Sequence, residues 1–508
     1  MNTELEQKSK SPSGTHSVPY VYWLLLALLV VAFTWRMQGV TQWPMPFHPM
    51  LQYENALNVR YMVVAIEGAS ANEVEKRWMH GYTGRLKGFP IIEVLTAGTC
   101  YFLHLDWMWV SGVYTSLAWM IAAWFLFHIV HRQLHSRFAA FAAACFFVLH
   151  PFTFVISRSF QHEAVQMLGF LVAWWMLSKD DFCSFSNKRL LKAIIIGLLL
   201  CCKPGIGWIP LCFIHLAYGV QRHGLIKTLR SPMFYIVPIV TLIPSLLWMK
   251  FLLPGDETHQ WKWSLLLSSS WYDLTWQNIM TVVGWLPVTI TLVVTIWNLF
   301  RRRWFNAILL MGYMAYAAVF NYANMTHDYY LLVLFPIVAL AWGEVFLWID
   351  QCFKNPDKLH WRVLPYILAV VATLLLTRGV ADYSSLLTAG PYTPEKHVAH
   401  QLGQQLGVGT QVIALSADYA MPLRYFSGLH AQWWPTGGDL WYEELEGGKV
   451  MSAEDRLNKL LTQSKTQYFV ITLEQEYQQQ KDLVELLKHY PELAVHPEGV
   501  RIFELKRR

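Results

Sequence analysis

The sequence predicts an α-helical polytopic membrane protein that carries a small α/β domain at its C-terminal end. Of 508 residues, 55% are hydrophobic and only 15% are charged. Apolar runs long enough to cross about 30 Å of hydrocarbon, roughly 20 residues each, recur between residues 20 and 380. From residue 390 onward the pattern changes to short strand-like and helical stretches in alternation. The net charge of +6 would suggest a nucleic-acid partner in a soluble protein. Here the basic residues gather in short loops between apolar runs, which is a topology signal, and no nucleic-acid partner is expected. Most of the seven cysteines sit in apolar runs, with no CxxC or Cys/His zinc spacing, so no disulfide framework is expected.

Residues 1–19 form a polar tail ahead of the run VYWLLLALLVVAF. That run lacks a small-residue cleavage site, so it reads as a retained anchor. Applying the positive-inside bias to each loop gives one consistent path. The tail is cytoplasmic, span 1 covers 20–38, and the loop that follows, within 39–105, is extracytoplasmic. The segment 91–104 dips into the interface and span 2 runs over 107–130. HRQLHSR is inside, span 3 covers 138–156, span 4 covers 163–178, and the stretch after Lys192 goes out and back around Lys203-Pro204-Gly205. Spans 7 to 11 are placed at 233–253, 277–299, 305–321, 331–349 and 363–380. The total is eleven crossings, with the N-terminus inside, the helical domain at 20–380 and an extracytoplasmic α/β domain at 390–508. In that last domain QVIAL, QYFVITL and GVRIFELK read as strands and SAEDRLNKLLTQ and QQKDLVELLKHY as helices. No Gly-rich phosphate loop precedes either helix, so nothing marks it as a nucleotide-binding domain.

The first outer loop is the most informative stretch. Residues 47–93 are too polar and too basic for lipid, and a loop of that size is more often functional than a mere connector. Its aromatic and aliphatic residues, among them Tyr53, Leu57, Tyr61, Trp78 and Ile91, read as amphipathic helical pieces along a membrane face. On the predicted path the other ionisable groups converge on the same side: Arg158, His162 and Glu163 before span 4, Asp256, Glu257 and His259 in a later outer loop, and His327-Asp328-Tyr329-Tyr330 before span 10. Ionisable groups at membrane edges are costly to bury and tend to face a cavity. A carboxylate there can serve as a general base, while Arg and Lys can hold a phosphate. The bland readings stand beside these. Glu54 also suits a solvated interfacial helix, and Glu163 suits the N-terminal end of a helix dipole. Arg85, Lys87 and Arg158 suit headgroup anchors, and Tyr329 and Tyr330 suit an interface belt. His327 and Asp328 alone are not a metal ligand set.

Several motifs together resemble a known family. They are the acid-x-Ala at Glu54-Asn55-Ala56, a basic residue shortly before a proline from Lys87 to Pro90, and an acid at the head of span 4 in SRSFQHEAV. To these add the Lys-Pro-Gly break and HDYYLLVLFPIVALAWG. The set is similar to the bacterial polyprenyl-phosphate-sugar-dependent glycosyltransferases, the membrane GT-C enzymes related to protein O-mannosyltransferases and the aminoarabinose transferase of lipid A. The resemblance covers residues 20–350 and rests on the order of the motifs more than on any one of them. It implies a GT-C-like fold and a location in the bacterial inner membrane. It also implies transfer of a sugar from a polyprenyl-phosphate donor to a lipid, glycan or protein acceptor on the extracytoplasmic face. By position it implies Glu54 as general base, Glu163 as the second acid, Arg85 and Lys87 as donor-phosphate contacts, and His327, Tyr329 and Tyr330 at the substrate; the convergence of charge on the outer face adds Arg158 to the phosphate contacts and Asp328 to the substrate contacts. The family usually carries Asp where this chain has Glu54 and Glu163, so each carboxylate reaches one methylene further. No cofactor is implied with certainty, and a divalent metal is left open. The rival class is a transporter or flippase of lipid-linked sugars, which the Lys203-Pro204-Gly205 break favours but the lack of an internal repeat does not. A third is an assembly factor that grips a partner through its outer domain.

Overall fold

The computed structural model describes residues 19–40, 46–79, 88–181, 185–203, 206–252, 262–352, 359–377, 396–445, 448–463, 465–494 and 496–505. Arg85, Lys87, Pro204, Gly205, Asp256, Glu257 and His259 lie outside them.

The protein is mostly helical, with one small sheet near its C-terminal end. Helix α1 (Pro19–Met37) leads to the first outer segment, which is itself helical: α2 (Pro49–Glu67), a short 3-10 turn (Gly68–Ser70), α3 (Glu73–Met79) and α4 (Ile91–Leu103). Helix α4 buries Ile92, Glu93, Thr96 and Ala97 and leaves Val94, Leu95, Phe102 and Leu103 exposed, the signature of a helix lying against lipid. The helical domain continues through α5 (Trp107–Leu134), α6 (Arg137–Leu149), α7 (Pro151–Ile156), α8 (Glu163–Lys179), α9 (Asn187–Leu200), α10 (Trp208–His223), α11 (Leu225–Arg230) and α12 (Pro232–Leu252). It closes with α13 (Ser269–Val282), α14 (Trp285–Phe300), α15 (Phe305–Val319), α16 (Asn321–Thr326), α17 (Phe335–Cys352) and α18 (Leu359–Thr377).

The core is built around α6, whose residues from Phe138 to Leu149 are all buried. Its sequence, RFAAFAAACFFVL, explains why: alanines let α5, α17 and α18 approach closely, and the phenylalanines fill what remains. At Gly343 of α17 an added Cβ would lie 2.8 Å from the Ala139 carbonyl oxygen, so only glycine permits that approach. The rings of Trp119 and Phe147 stack at 4.4 Å across the α5–α6 seam. The buried Glu344 carboxylate ties α17 to the neighbouring hairpin, accepting from Asn298 Nδ2 at 2.6 Å and Asn306 Nδ2 at 2.7 Å.

Among the described residues, four helical stretches are individually long and apolar enough to cross a membrane: Tyr20–Met37, Trp107–Leu134, Pro232–Lys250 and Asp328–Ile349. A bent pair, α13 and α14, supplies a fifth if counted as one span. Two predicted spans are not single helices. Span 3 ends at His150, where Pro151 starts the separate α7. Span 8 is split at Gly284, where a φ of 89° turns the chain and α13 meets α14 at 104°. Helix α13 carries the polar DLTWQN, and only α14 from Trp285 onward is continuously apolar.

The C-terminal sheet has the order β2-β1-β3-β4, formed by β1 (Gln411–Leu415), β2 (His430–Trp433), β3 (Tyr468–Ile471) and β4 (Arg501–Glu504). The first three strands are parallel and β4 is antiparallel to β3. Helices cover both faces, with Ile413, Phe469 and Leu483 in one core and Val412, Val470 and Leu402 in the other. Strand β2 has no counterpart in the expected strands, because HAQW is short and polar at the edge of the sheet.

Candidate functional site

The site sits where the outer helix α2 meets the N-terminal end of α8 and the 3-10 turn Asp328–Leu334. Helix α2 presents a buried polar row, Gln52, Glu54, Asn55 and Asn58. Burial of that row is matched by a buried connection, Ser157 to Gln161, whose backbone groups need partners. Asn55 Nδ2 donates to the Phe160 carbonyl at 2.8 Å, and Gln52 Nε2 donates to the Phe47 carbonyl at 2.6 Å. On the far side the fully buried Arg36 of α1 donates to Ser157 Oγ at 2.7 Å and to the Val148 carbonyl at 2.7 Å. The connection is thus held between α1 and α2.

Three acid–base pairs follow around it. Glu163, at the first turn of α8, accepts from Lys203 Nζ at 2.6 Å. Glu93 of α4, fully buried, lies 2.8 Å from His162 Nε2. His48 Nε2 lies 2.6 Å from Asp328 Oδ1. Tyr329 joins two of these pairs: Lys203 Nζ sits 4.1 Å from its ring centroid, and the His48 ring meets it edge-on at 5.1 Å. Lys203 is also 4.8 Å from the Tyr330 ring. His327 packs against Tyr329 at 5.2 Å and shares a 2.6 Å hydrogen bond between its Nδ1 and Thr326 Oγ1. His48 caps α2 in the left-handed region, φ 45°, which an L-residue adopts only at a cost. Burial works against its imidazolium, but the hydrogen-bonded Asp328 carboxylate outweighs that and raises its pKa above the ordinary value.

The C-terminal domain reaches this site. Trp107 Nε1 donates to Tyr425 Oη at 2.8 Å, and His430 Nε2 lies 2.9 Å from the Trp78 carbonyl. The rings of Tyr425 and Phe426 flank Tyr53, next to Glu54, at 5.2 and 5.5 Å. Arg60 stacks on Trp78 at 3.4 Å. The turn Asp418–Ala420 packs on α2 with three successive non-glycine residues in the left-handed region, φ 50°, 57° and 58°. Strain of that kind persists only where the surroundings enforce it. Its Tyr419 hydroxyl lies within electrostatic reach of Tyr329, and its pKa is pushed up to about 12 by burial and by the Asp439 carboxylate.

The structure therefore gathers Glu163, His327, Asp328, Tyr329 and Tyr330 with His48 and Lys203, which sequence reasoning did not single out. Lys203 stood in the sequence as part of a helix break, and His48 as an unremarked residue at the start of the 47–93 stretch of the first outer loop. Glu93 and Tyr419 were missed as well, the first hidden in an apolar helix and the second in a domain with no recognised motif. Glu54 is buried on α2 at 5% exposure. Arg158 lies one connection away, its Nη2 donating to the Gln38 carbonyl at 2.5 Å. Among the described residues no group of three or more His, Cys, Asp or Glu side chains could hold a metal ion.

No protein-family model matches the chain, and no curated protein matches it significantly. Solved structures do. ArnT from Cupriavidus metallidurans bound to undecaprenyl phosphate is 12% identical with a TM-score of 0.54, over 95% of this chain and 97% of that one. The archaeal oligosaccharyltransferase AglB from Archaeoglobus fulgidus, in complex with an inhibitory peptide and a dolichol-phosphate, is 13% identical with a TM-score of 0.55, over 93% of this chain and 73% of that one. The chain is thus a multi-pass membrane protein with the GT-C fold that it shares with ArnT and AglB.

Proposed function

We propose that the protein is a membrane glycosyltransferase that moves a sugar from a polyprenyl-phosphate donor to a hydroxyl or phosphate of a lipid, glycan or protein acceptor. On this reading the chain crosses the bacterial inner membrane eleven times, with its N-terminus cytoplasmic and the α/β domain at 390–508 outside. The observation that carries the proposal is the clustering of Glu163–Lys203, His48–Asp328, Tyr329 and Tyr330 beneath α2, at the end of the bundle where the C-terminal domain docks. Similar structures with bound undecaprenyl phosphate or dolichol-phosphate support the donor class.

The chemistry asks little of the protein beyond positioning and one proton transfer. Glu54 takes the proton of the acceptor hydroxyl as its oxygen bonds to the anomeric carbon. The bond from that carbon to the phosphate oxygen breaks, and the phosphate leaves with the electron pair. Phosphate is a good leaving group, so acid assistance is not required. Lys203 is the cation best placed to meet the departing phosphate, because it can exchange Glu163 for a second anion without leaving the faces of Tyr329 and Tyr330. Arg85 and Lys87 are proposed to join it, and Arg158 to act from the neighbouring connection. Tyr419 and the His48–Asp328 pair would orient the acceptor.

The test is sugar transfer in membranes with a labelled polyprenyl-phosphate sugar pool. Wild type should form labelled acceptor and Glu54→Gln should not, at equal protein abundance. Full transfer by Glu54→Gln would remove Glu54 as base. Movement of the labelled lipid across vesicles without any product would point to the transporter class instead.

A further inference from the structure

The end of the bundle away from the C-terminal domain holds a cavity of approximately 390 Å³. At about 1.5 Å per residue, the 28 residues of α5 exceed the hydrocarbon thickness, so its last turns project beyond it. His128, His131, Arg132 and His135 recur there at the spacing of one helical face, and Lys179 adds a fifth basic side chain from the last turn of α8. Among the described residues no carboxylate lines the cavity. The nearby acids are already matched: Asp180 accepts from Lys192, and Asp181 lies 2.9 Å from His223 Nε2. Among the described residues none of the five basic side chains makes an ion pair. Lys179 rests 3.5 Å from the Trp175 ring centroid, and Arg132 donates to the Ser178 carbonyl at 3.4 Å, which leaves the rest of its guanidinium fork available.

An apolar groove adjoins the cavity. Trp124 lines both, and the groove, approximately 450 Å³, runs from it between α1 and α5. Its walls include Leu26, Val30, Leu117 and Ile121, each at least 40% exposed. A basic chamber and an exposed apolar channel that share one tryptophan wall present together the polarity of a lipid: phosphate at one end, chain at the other.

We propose that this is a binding site for an anionic phospholipid of the leaflet opposite the candidate active site. Its phosphate would be held by Arg132, Lys179 and the imidazole N–H groups, and one acyl chain would lie along α1 and α5. Neither the sugar-transfer reading nor its residues are needed for this.

Full-length protein, delipidated in neutral detergent, would be titrated with phosphatidylglycerol, phosphatidylcholine or inorganic phosphate. Lipid retention would be followed by native mass spectrometry and stability by thermal unfolding. Phosphatidylglycerol should be retained and should raise the midpoint saturably, while the other two should not. Arg132→Gln and Lys179→Gln should each weaken retention about fivefold. Leu117→Trp, which fills the groove and keeps every charge, should weaken it as well. Equal retention of both lipids, an equal shift with inorganic phosphate, or undiminished retention by all three variants would overturn the proposal. If a charge variant does not fold, Leu117→Trp decides the question alone.

Discussion

The two ends of the helical bundle handle charge in opposite ways. At the end under the C-terminal domain, buried acids and bases occur in pairs: Glu163 with Lys203, Glu93 with His162, and Asp328 with His48. At the other end, His128, His131, Arg132, His135 and Lys179 line one cavity with no acid among them. Burying an unmatched charge costs several kcal/mol, so these three carboxylates are each matched by a base, while the buried Arg36 is held by Ser157 Oγ and backbone carbonyls. The second end is open enough to stay hydrated or to recruit an anion. On the proposed function, pairing would also let a donor phosphate enter by exchange, since Lys203 already has a partner to give up.

The comparison can be broken or sharpened in order of expected effect. The largest change should come from Glu54→Gln, which removes the proposed base and should lower the transfer rate by about 10²–10⁴-fold, read as labelled product per unit protein. Next is Lys203→Met. It leaves the Glu163 carboxylate, 3% exposed, without its cation. The expected loss is about 3–5 kcal/mol of stability, measured by thermal unfolding in detergent. Adding Glu163→Leu to Lys203→Met should restore most of that stability without restoring transfer, which separates the structural from the chemical role of the pair. If the single variant is as stable as wild type, the pair is hydrated and the contrast between the two ends fails.

A smaller effect is expected at His48. Its folded pKa is raised, so the stabilisation from the Asp328 pair is fully present below the unfolded value of about 6.5 and is lost as pH rises through the folded value. The unfolding midpoint of wild type should therefore fall from pH 6 towards pH 8.5 more steeply than that of His48→Gln, and parallel curves would remove His48 as the source. The smallest effect is expected for Tyr425→Phe. It deletes the acceptor of the Trp107 indole, for about 0.5–1.5 kcal/mol. Proteolysis of the C-terminal domain in membranes should report it as faster cleavage.

Part of the site was legible in the chain. Glu163 and the His327 to Tyr330 run stand out because ionisable and polar residues at the edge of apolar spans are costly and therefore informative. Lys203 was equally visible but read as a helix break, since nothing local says which carboxylate it meets across 40 positions. His48 and Asp328 are 280 positions apart, and no periodicity relates them. The break in span 8 escaped for a different reason. Hydropathy sums over a window and is blind to the single positive φ at Gly284 that turns the chain.

By itself the sequence determined the helical, membrane-embedded class, the helical nature of the first outer segment and the change to an α/β layer after residue 390. Those are consequences of local composition and period, which each segment carries alone. Only the tertiary structure decided which acid meets which base, that Tyr419 and Tyr425 belong with Tyr329 and Tyr53, and that the basic face of α5 lines a cavity that shares Trp124 with an apolar groove. Pairings of that kind arise from packing between distant segments, where burial sets the cost of each unmatched charge and geometry selects the partner that removes it.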